Sequence, residues 1–219
     1  MFTRTLRKLA TVATAMALFA SGVQAADVIK IGAIAPKTGG LAGGAVVTQC
    51  PNVELWVNQV NARGGLDVGG KMMQIELIEY DDKPNPGEHI KLAQRLATQD
   101  KVDFIVAPYG TGFNIATAPI YGKFGYPMIA VSAITDKMEE LTQRYPNLFF
   151  TLGTTTAFVQ GVTEILVEQR AAGTIGNEVA MVNVADAFGI ELADRARELF
   201  AAEGFDIVYD KSYPLGTPD

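Results

Sequence analysis

The stretch from Asp103 to Asp136 constrains the fold most strongly. It runs as an apolar strand (Asp103-Phe-Ile-Val-Ala107), a loop of glycines and hydroxyls (Pro108-Tyr-Gly-Thr-Gly-Phe-Asn114) and a short apolar helix. A second apolar strand (Pro127-Met-Ile-Ala-Val131) and a second small-residue loop (Ser132-Ala-Ile-Thr-Asp136) follow. Short continuous apolar runs suit parallel strands covered by helices on both faces. In open α/β sheets ligands bind at the carboxyl ends of the strands, where both loops fall. Gly110, Thr111, Gly112 and Phe113 stand where strand gives way to helix. Free backbone N–H groups and the positive helix end favour a carboxylate there, and the Thr111 hydroxyl adds a hydrogen bond. Ser132, Ala133 and Thr135 offer carbonyl and hydroxyl oxygens suited to an ammonium. Taken singly, Thr111 and Thr135 are equally well read as helix caps. Two such loops side by side favour a site.

The rest of the chain repeats the alternation of strand and helix. Val28 to Ile34 reads as a first strand and Pro36 to Gly44 as a glycine-rich loop. Val53, Trp56, Val57 and Val60 recur at helical spacing, up to the Gly64-Gly65 stop. Pro51 belongs to that helix's first turn or marks a kink. Met73 to Tyr80 is a second strand closed by Asp81-Asp82, whose role is to anchor the loop. Asn85-Pro-Gly-Glu88 opens a helix with Asn as cap and Pro at the first position. Its buried face is expected at Ile90, Ala93, Leu96 and Ala97, with His89 facing solvent. Leu148 to Thr151 is a brief extended run, and Thr154-Thr-Thr156 caps a helix with an expected apolar face of Phe158, Val162, Ile165 and Leu166. Glu178–Val184 and Phe205–Tyr209 are strands flanking a helix from Gly189 to Ala202. Such alternation predicts a right-handed doubly wound α/β fold. We expect a first α/β lobe over 26–150 and the start of a second, unfinished lobe over 151–219.

At the N-terminus, Arg4, Arg7 and Lys8 precede the Ala/Leu/Val-rich run Leu9–Gly22 and the small residues of Val23-Gln-Ala25. This is the pattern of a cleaved secretory signal over residues 1–25. The run is shorter than the about 20 residues a bilayer requires. Without the three leader cations, 15 of 18 basic residues remain against 24 acidic ones, which disfavours nucleic acid. The lone Cys50 has no internal disulfide partner and reads as a packed apolar residue. The glycines of Gly39-Gly-Leu-Ala-Gly-Gly44 are misphased for a dinucleotide loop, and the expected acid is missing at its spacing. No phosphate-binding G-x-x-x-x-G-K-[ST], nucleophile elbow or metal spacing occurs. The expectation is binding without turnover, with no cofactor and no metal.

Several segments together resemble the periplasmic substrate-binding proteins of branched-chain amino-acid ABC transporters, the type I leucine/isoleucine/valine-binding family. They are Ile31-Gly-Ala33, Val60-Asn-Ala-Arg-Gly-Gly65, Tyr80-Asp-Asp82, Phe104-Ile-Val106 before the glycine-hydroxyl loop, Ser132-Ala133 and Asp186-Ala-Phe-Gly189. The resemblance covers residues 27–219. It implies two parallel-sheet lobes joined by a hinge that close on a small ligand, a periplasmic location, a membrane permease as partner and a monomeric receptor. By the same resemblance, Thr111 contacts the ligand's backbone with Gly110 and Gly112, and Tyr109 forms an aromatic wall. The loop of Ser132, Ala133 and Thr135 adds polar contacts; which of the three does so is left open. Phe188 stands where the family carries a ligand-covering tyrosine, a departure that removes a hydroxyl. Branched-chain amino acids, other amino acids and related small carboxylates are all compatible. A sensor domain for small amides or aromatic acids is the alternative.

Overall fold

The computed structural model describes residues 28–217, so the leader over 1–25 lies outside it. Strand β1 (Val28–Ala35) leads through helices α1 (Ala42–Thr48) and α2 (Cys50–Ala62) to β2 (Leu66–Val68) and β3 (Lys71–Asp81). Then come α3 (Pro86–Arg95), β4 (Phe104–Ile105), α4 (Thr111–Lys123), β5 (Met128–Ala130), α5 (Met138–Arg144) and β6 (Leu148–Phe150). The chain continues through α6 (Thr155–Ala171), β7 (Glu178–Val184), α7 (Ala187–Ala202) and β8 (Asp206–Tyr213).

Strands β3, β1 and β4 are parallel neighbours, with β2 added antiparallel to β3 as an unexpected hairpin. The pairs β5–β6 and β7–β8 are also parallel. Strand β1 is buried on both faces, as its apolar run demands. Ile29 and Ile31 pack with Val57, Val60 and Ile75 on one side. Ile34 joins Leu92, Leu96, Tyr121, Met128 and Leu148 in the largest core cluster on the other. Gly32 makes this approach possible, since a Cβ there would lie 2.8 Å from the methyls of fully buried Leu96. A separate core of Val159, Met181, Ala193, Ala196, Phe200 and Phe205 holds α6, β7, α7 and β8 together.

Several expectations shift. The glycine-rich loop turns helical from Ala42, so its last three residues belong to α1. In α2, Val57 and Val60 are buried but Trp56 is 43% exposed. Asn85 caps α3 as read, accepting from the Glu88 N–H at 3.0 Å. The buried side keeps Ala93 and, just past the end of α3, Leu96 as expected, but takes His89 and Leu92 in place of Ile90 and Ala97. His89 does not face solvent. It is fully buried, its Nδ1 is 2.5 Å from Asp82 Oδ2, and its ring stacks on Phe113 at 4.6 Å. A buried acid that can pair with the imidazole draws the helix round by one position, because leaving that acid unpaired would be costly. On α6 the inward residues are Thr155, Val159 and Thr163, while Phe158, Val162 and Ile165 are exposed. The apolar stripe is wide enough for two adjacent faces, and only one packs on α7 and β7.

Candidate functional site

The carboxyl ends of β1 and β4, with the loop after β5, meet at the N-terminus of α4. Gly110 precedes the helix at φ 94°, a conformation that a side chain would strain. Its N–H donates to Ser132 Oγ (3.0 Å), and that hydroxyl donates in turn to the Pro108 carbonyl (3.0 Å). Asn114, one turn into α4, donates to the carbonyls of Pro108 (2.7 Å) and Gly110 (2.9 Å). Gln49 reaches across from the start of α2 to the Ala107 carbonyl at 2.9 Å. The loop is therefore gripped from three sides. The first-turn amides of Thr111, Gly112 and Phe113 have no carbonyl behind them within the helix, which makes this end a ready anion site.

Thr111 hydrogen-bonds to the loop after β5. Its side chain is buried, and its hydroxyl donates to the Ile134 carbonyl (3.1 Å) and accepts from the Ile134 N–H (3.2 Å). It stitches the loop before α4 to the loop after β5. Ala133 is buried beside it, in the large core cluster. Tyr109 lies against α1: a Cβ on Gly44 would fall 2.2 Å from its hydroxyl, and its ring packs on Ala35, Ala45 and Cys50. Cys50 is thus a packed small residue, as read.

Thr135 is fully buried and turns toward α7, where its hydroxyl donates to Glu191 Oε2 at 2.9 Å. The Asp136 N–H donates to Glu191 Oε1 at 2.6 Å. The Asp136 carboxylate accepts from the Thr156 N–H (2.8 Å), the Thr156 hydroxyl (2.7 Å) and Arg195 Nη2 (3.0 Å). Burial opposes ionisation of Asp136, but the hydrogen bonds from Thr156 and Arg195 outweigh it and hold its carboxyl below the ordinary value of 3.8. Sequence reasoning missed Asp136, Thr156, Glu191 and Arg195. The available signal was the Glu191/Arg195 spacing of four, which places both on one face of a helix.

The N-termini of α4 and α7 converge. A Cβ on Gly112 would lie 3.6 Å from the Ala187 Cβ. Asp186 caps α7, accepting from the Gly189 N–H at 2.8 Å. Phe188, in the first turn of α7, is 39% exposed and borders an apolar groove of about 520 Å³ with Phe158, Val182, Val184 and Tyr213. The glycine loop after β1 also meets the second group of elements, since a Cβ on Gly40 would fall 2.6 Å from Gly216 Cα. The structure thus brings Gly110, Thr111, Gly112 and Ser132 together. Thr135 and Ala133 lie behind them, Tyr109 lies to the α1 side, and Phe188 lies across on α7. Among the described residues, no three metal-ligating side chains cluster.

A family profile described as "Periplasmic binding protein" matches residues 28–219. The chain is 26% identical over 211 residues to Leu/Ile/Val-binding protein homolog 7 of Brucella suis biovar 1, a match covering 93% of this chain and 50% of that protein. Among solved structures, it resembles an ABC-transporter solute binding protein from Rhodopseudomonas palustris BisB5 in complex with 3,4-dihydroxybenzoic acid. There the identity is 30%, the TM-score is 0.66, and the match covers 88% of this chain and 49% of the other. It also resembles a branched-chain amino acid transporter substrate binding protein from Streptococcus pneumoniae in complex with isoleucine. That match has 27% identity and a TM-score of 0.68, and covers 88% of this chain and 51% of the other. The chain spans about half the length of the curated relatives it matches.

Proposed function

The chain belongs to the periplasmic binding protein family and takes its type I α/β fold, and on that premise we propose that it forms the first lobe and the beginning of the second lobe of an extracytoplasmic solute receptor serving an ABC importer. The receptor acts as a monomer, captures an amino acid or related small carboxylate by lobe closure, and hands it to a membrane permease without chemical change.

The observation that carries this reading is the meeting of two helix N-termini at Gly112 and Ala187. The α4 and α7 helices have 13 and 16 residues. The α4 end presents unpaired first-turn amides and the positive end of its dipole, while on α7 Asp186 takes the Gly189 N–H and leaves those of Ala187 and Phe188; their convergence favours a carboxylate over a neutral or cationic group. Gly110 and Gly112 leave the backbone open to close approach, while Thr111 and Ser132 hold the amides in place from behind. Closure is then a shift in population driven by contacts the ligand makes with both lobes at once.

An aromatic acid is the second ligand reading, favoured by the exposed Phe188 ring in the first turn of α7, next to Ala187. The Rhodopseudomonas palustris relative, bound to 3,4-dihydroxybenzoic acid, supports the same reading. A thermal-shift panel of amino acids, hydroxybenzoates and their amides on the full-length protein separates the two. A true ligand at 100 times its dissociation constant stabilises by about 2.7 kcal/mol, a readily visible shift. Amino-acid hits support the first reading and benzoate hits the second. Stabilisation by the amides alone would remove the carboxylate from the account.

A further inference from the structure

Glu191 and Arg195 occupy one face of α7 and both reach the loop that follows β5 on the other lobe. Glu191 accepts two hydrogen bonds, from the Thr135 hydroxyl and the Asp136 N–H. Arg195 donates to Asp136 Oδ2 through Nε (3.2 Å) and Nη2 (3.0 Å). The same Asp136 carboxylate accepts from both the N–H and the hydroxyl of Thr156, at the start of α6. One acidic residue of the first lobe is thereby tied to two helices of the second. The loop is also continuous with the ligand edge, since Thr111 holds both backbone groups of Ile134 and Ser132 holds the Gly110 N–H. A displacement of α7 is therefore transmitted to the α4 amides through directly bonded neighbours.

We propose that Glu191 and Arg195 are positioning residues that latch the second lobe onto the Ser132–Lys137 loop and thereby set how readily the two lobes meet at the ligand edge. The proposal rests on the two-lobe reading above, but it concerns this chain's own side chains and needs no ligand for its test. The latch is directional as well as attractive. The Asp136 N–H can only donate to Glu191, and the Asp136 carboxylate can only accept from Arg195, so exchanging either charge sets like groups against each other. The ion pair is partly shielded, with the Asp136 and Arg195 side chains 25% and 34% exposed. Their charge-assisted bonds are therefore stronger than those of a fully solvated surface pair. Arg195 also pairs with Glu198 on its own helix, which orients the guanidinium along the helix and leaves Nε and Nη2 for Asp136.

Gly112 and Ala187 provide the readout. Their Cβ separation of 3.6 Å in this arrangement falls in the range a disulfide spans without strain. In the full-length protein carrying Gly112→Cys and Ala187→Cys, mild oxidation should join the two, as seen by mobility and peptide mass, while buried Cys50 stays out of the reaction. Adding Glu191→Gln or Arg195→Met should slow cross-linking about threefold to tenfold, the loss expected for one or two partly exposed charge-assisted bonds. Arg197→Met is the control. It removes pairs with Asp194 and Asp210 within the second lobe and touches nothing on the first, so the rate should stay within about twofold of the parent. Circular dichroism of each variant separates a lost latch from a lost fold. Equal cross-linking rates in folded Glu191→Gln and Arg195→Met variants would overturn the latch while leaving the binding function untouched. An equal fall in the Arg197→Met control would also overturn it, since the effect would then come from general weakening of α7.

Discussion

Asp82 and His89 form the most secluded polar pair among the described residues: both side chains are fully buried, with the His89 ring stacked against Phe113 in the first turn of α4. The pair lies beneath the first turn of α4, so its packing supports the turn that carries the α4 amides. Replacing one partner leaves the other buried without its bond, and we expect Asp82→Leu or His89→Leu to cost about 1–3 kcal/mol in denaturant unfolding. The double variant should cost less than the sum of the two, a positive coupling that a double-mutant cycle would read directly. Asp81, next to it, instead holds the glycine loop, accepting from the Lys37 N–H, the Thr38 hydroxyl and the Lys83 N–H. Burial opposes its ionisation, but these donors prevail, so Asp81, like Asp136, titrates below the ordinary 3.8. A lowered folded-state value contributes stability that is complete above the ordinary carboxylate range and is lost as pH falls through the lowered value. The urea midpoint should thus hold steady down to about pH 5 and drop on further acidification, less steeply in Asp136→Asn. The sequence marked Asp81-Asp82 as loop anchors but placed His89 in solvent. The pairing links a strand end to a helix turn seven residues on, and helical periodicity alone does not reveal such a partner.

At the scale of elements, apolar periodicity located most helices and strands but not the way each helix is turned. The α3 and α6 stripes are each wide enough to serve two neighbouring faces, and tertiary partners decide between them. On α6, Val159 and Thr163 are buried, with Val159 in the core shared with α7 and β7, while Ile165 is 60% exposed and lies outside that core. In this chain Ile165→Lys should therefore leave stability within about 0.5 kcal/mol, whereas Val159→Asp, which buries an unpaired charge in a core, should abolish cooperative thermal unfolding. The β2 hairpin edge and the helical turn from Ala42 were not legible. The first is three residues long, and the second carries Gly43-Gly44 in its first turn, which disfavour a helix by propensity and are held helical by packing around buried Ala45.

At the scale of the molecule, the order of strands and helices and the two ligand-edge loops were readable from Asp103–Asp136 and its neighbours, because parallel strands covered on both faces leave long apolar runs. The division of labour at the edge was not. Thr111 and Thr135, expected as ligand contacts, hydrogen-bond to Ile134 and Glu191 through their hydroxyls, and the proposed carboxylate contact falls to backbone amides. The central claim is therefore that a carboxylate is held by the α4 and α7 N-termini around Gly112. It is tested most directly by calorimetric titration of the full-length protein with its best acid ligand and with the matching primary amide, in the parent and in Gly112→Asp. Aspartate suits a first helical turn and should preserve the fold, yet it places a negative charge where the carboxylate belongs. The account predicts that the acid binds at least about 100-fold more tightly than the amide, and that Gly112→Asp abolishes binding of the acid. Equal affinity for acid and amide, or undiminished binding by Gly112→Asp, would contradict it.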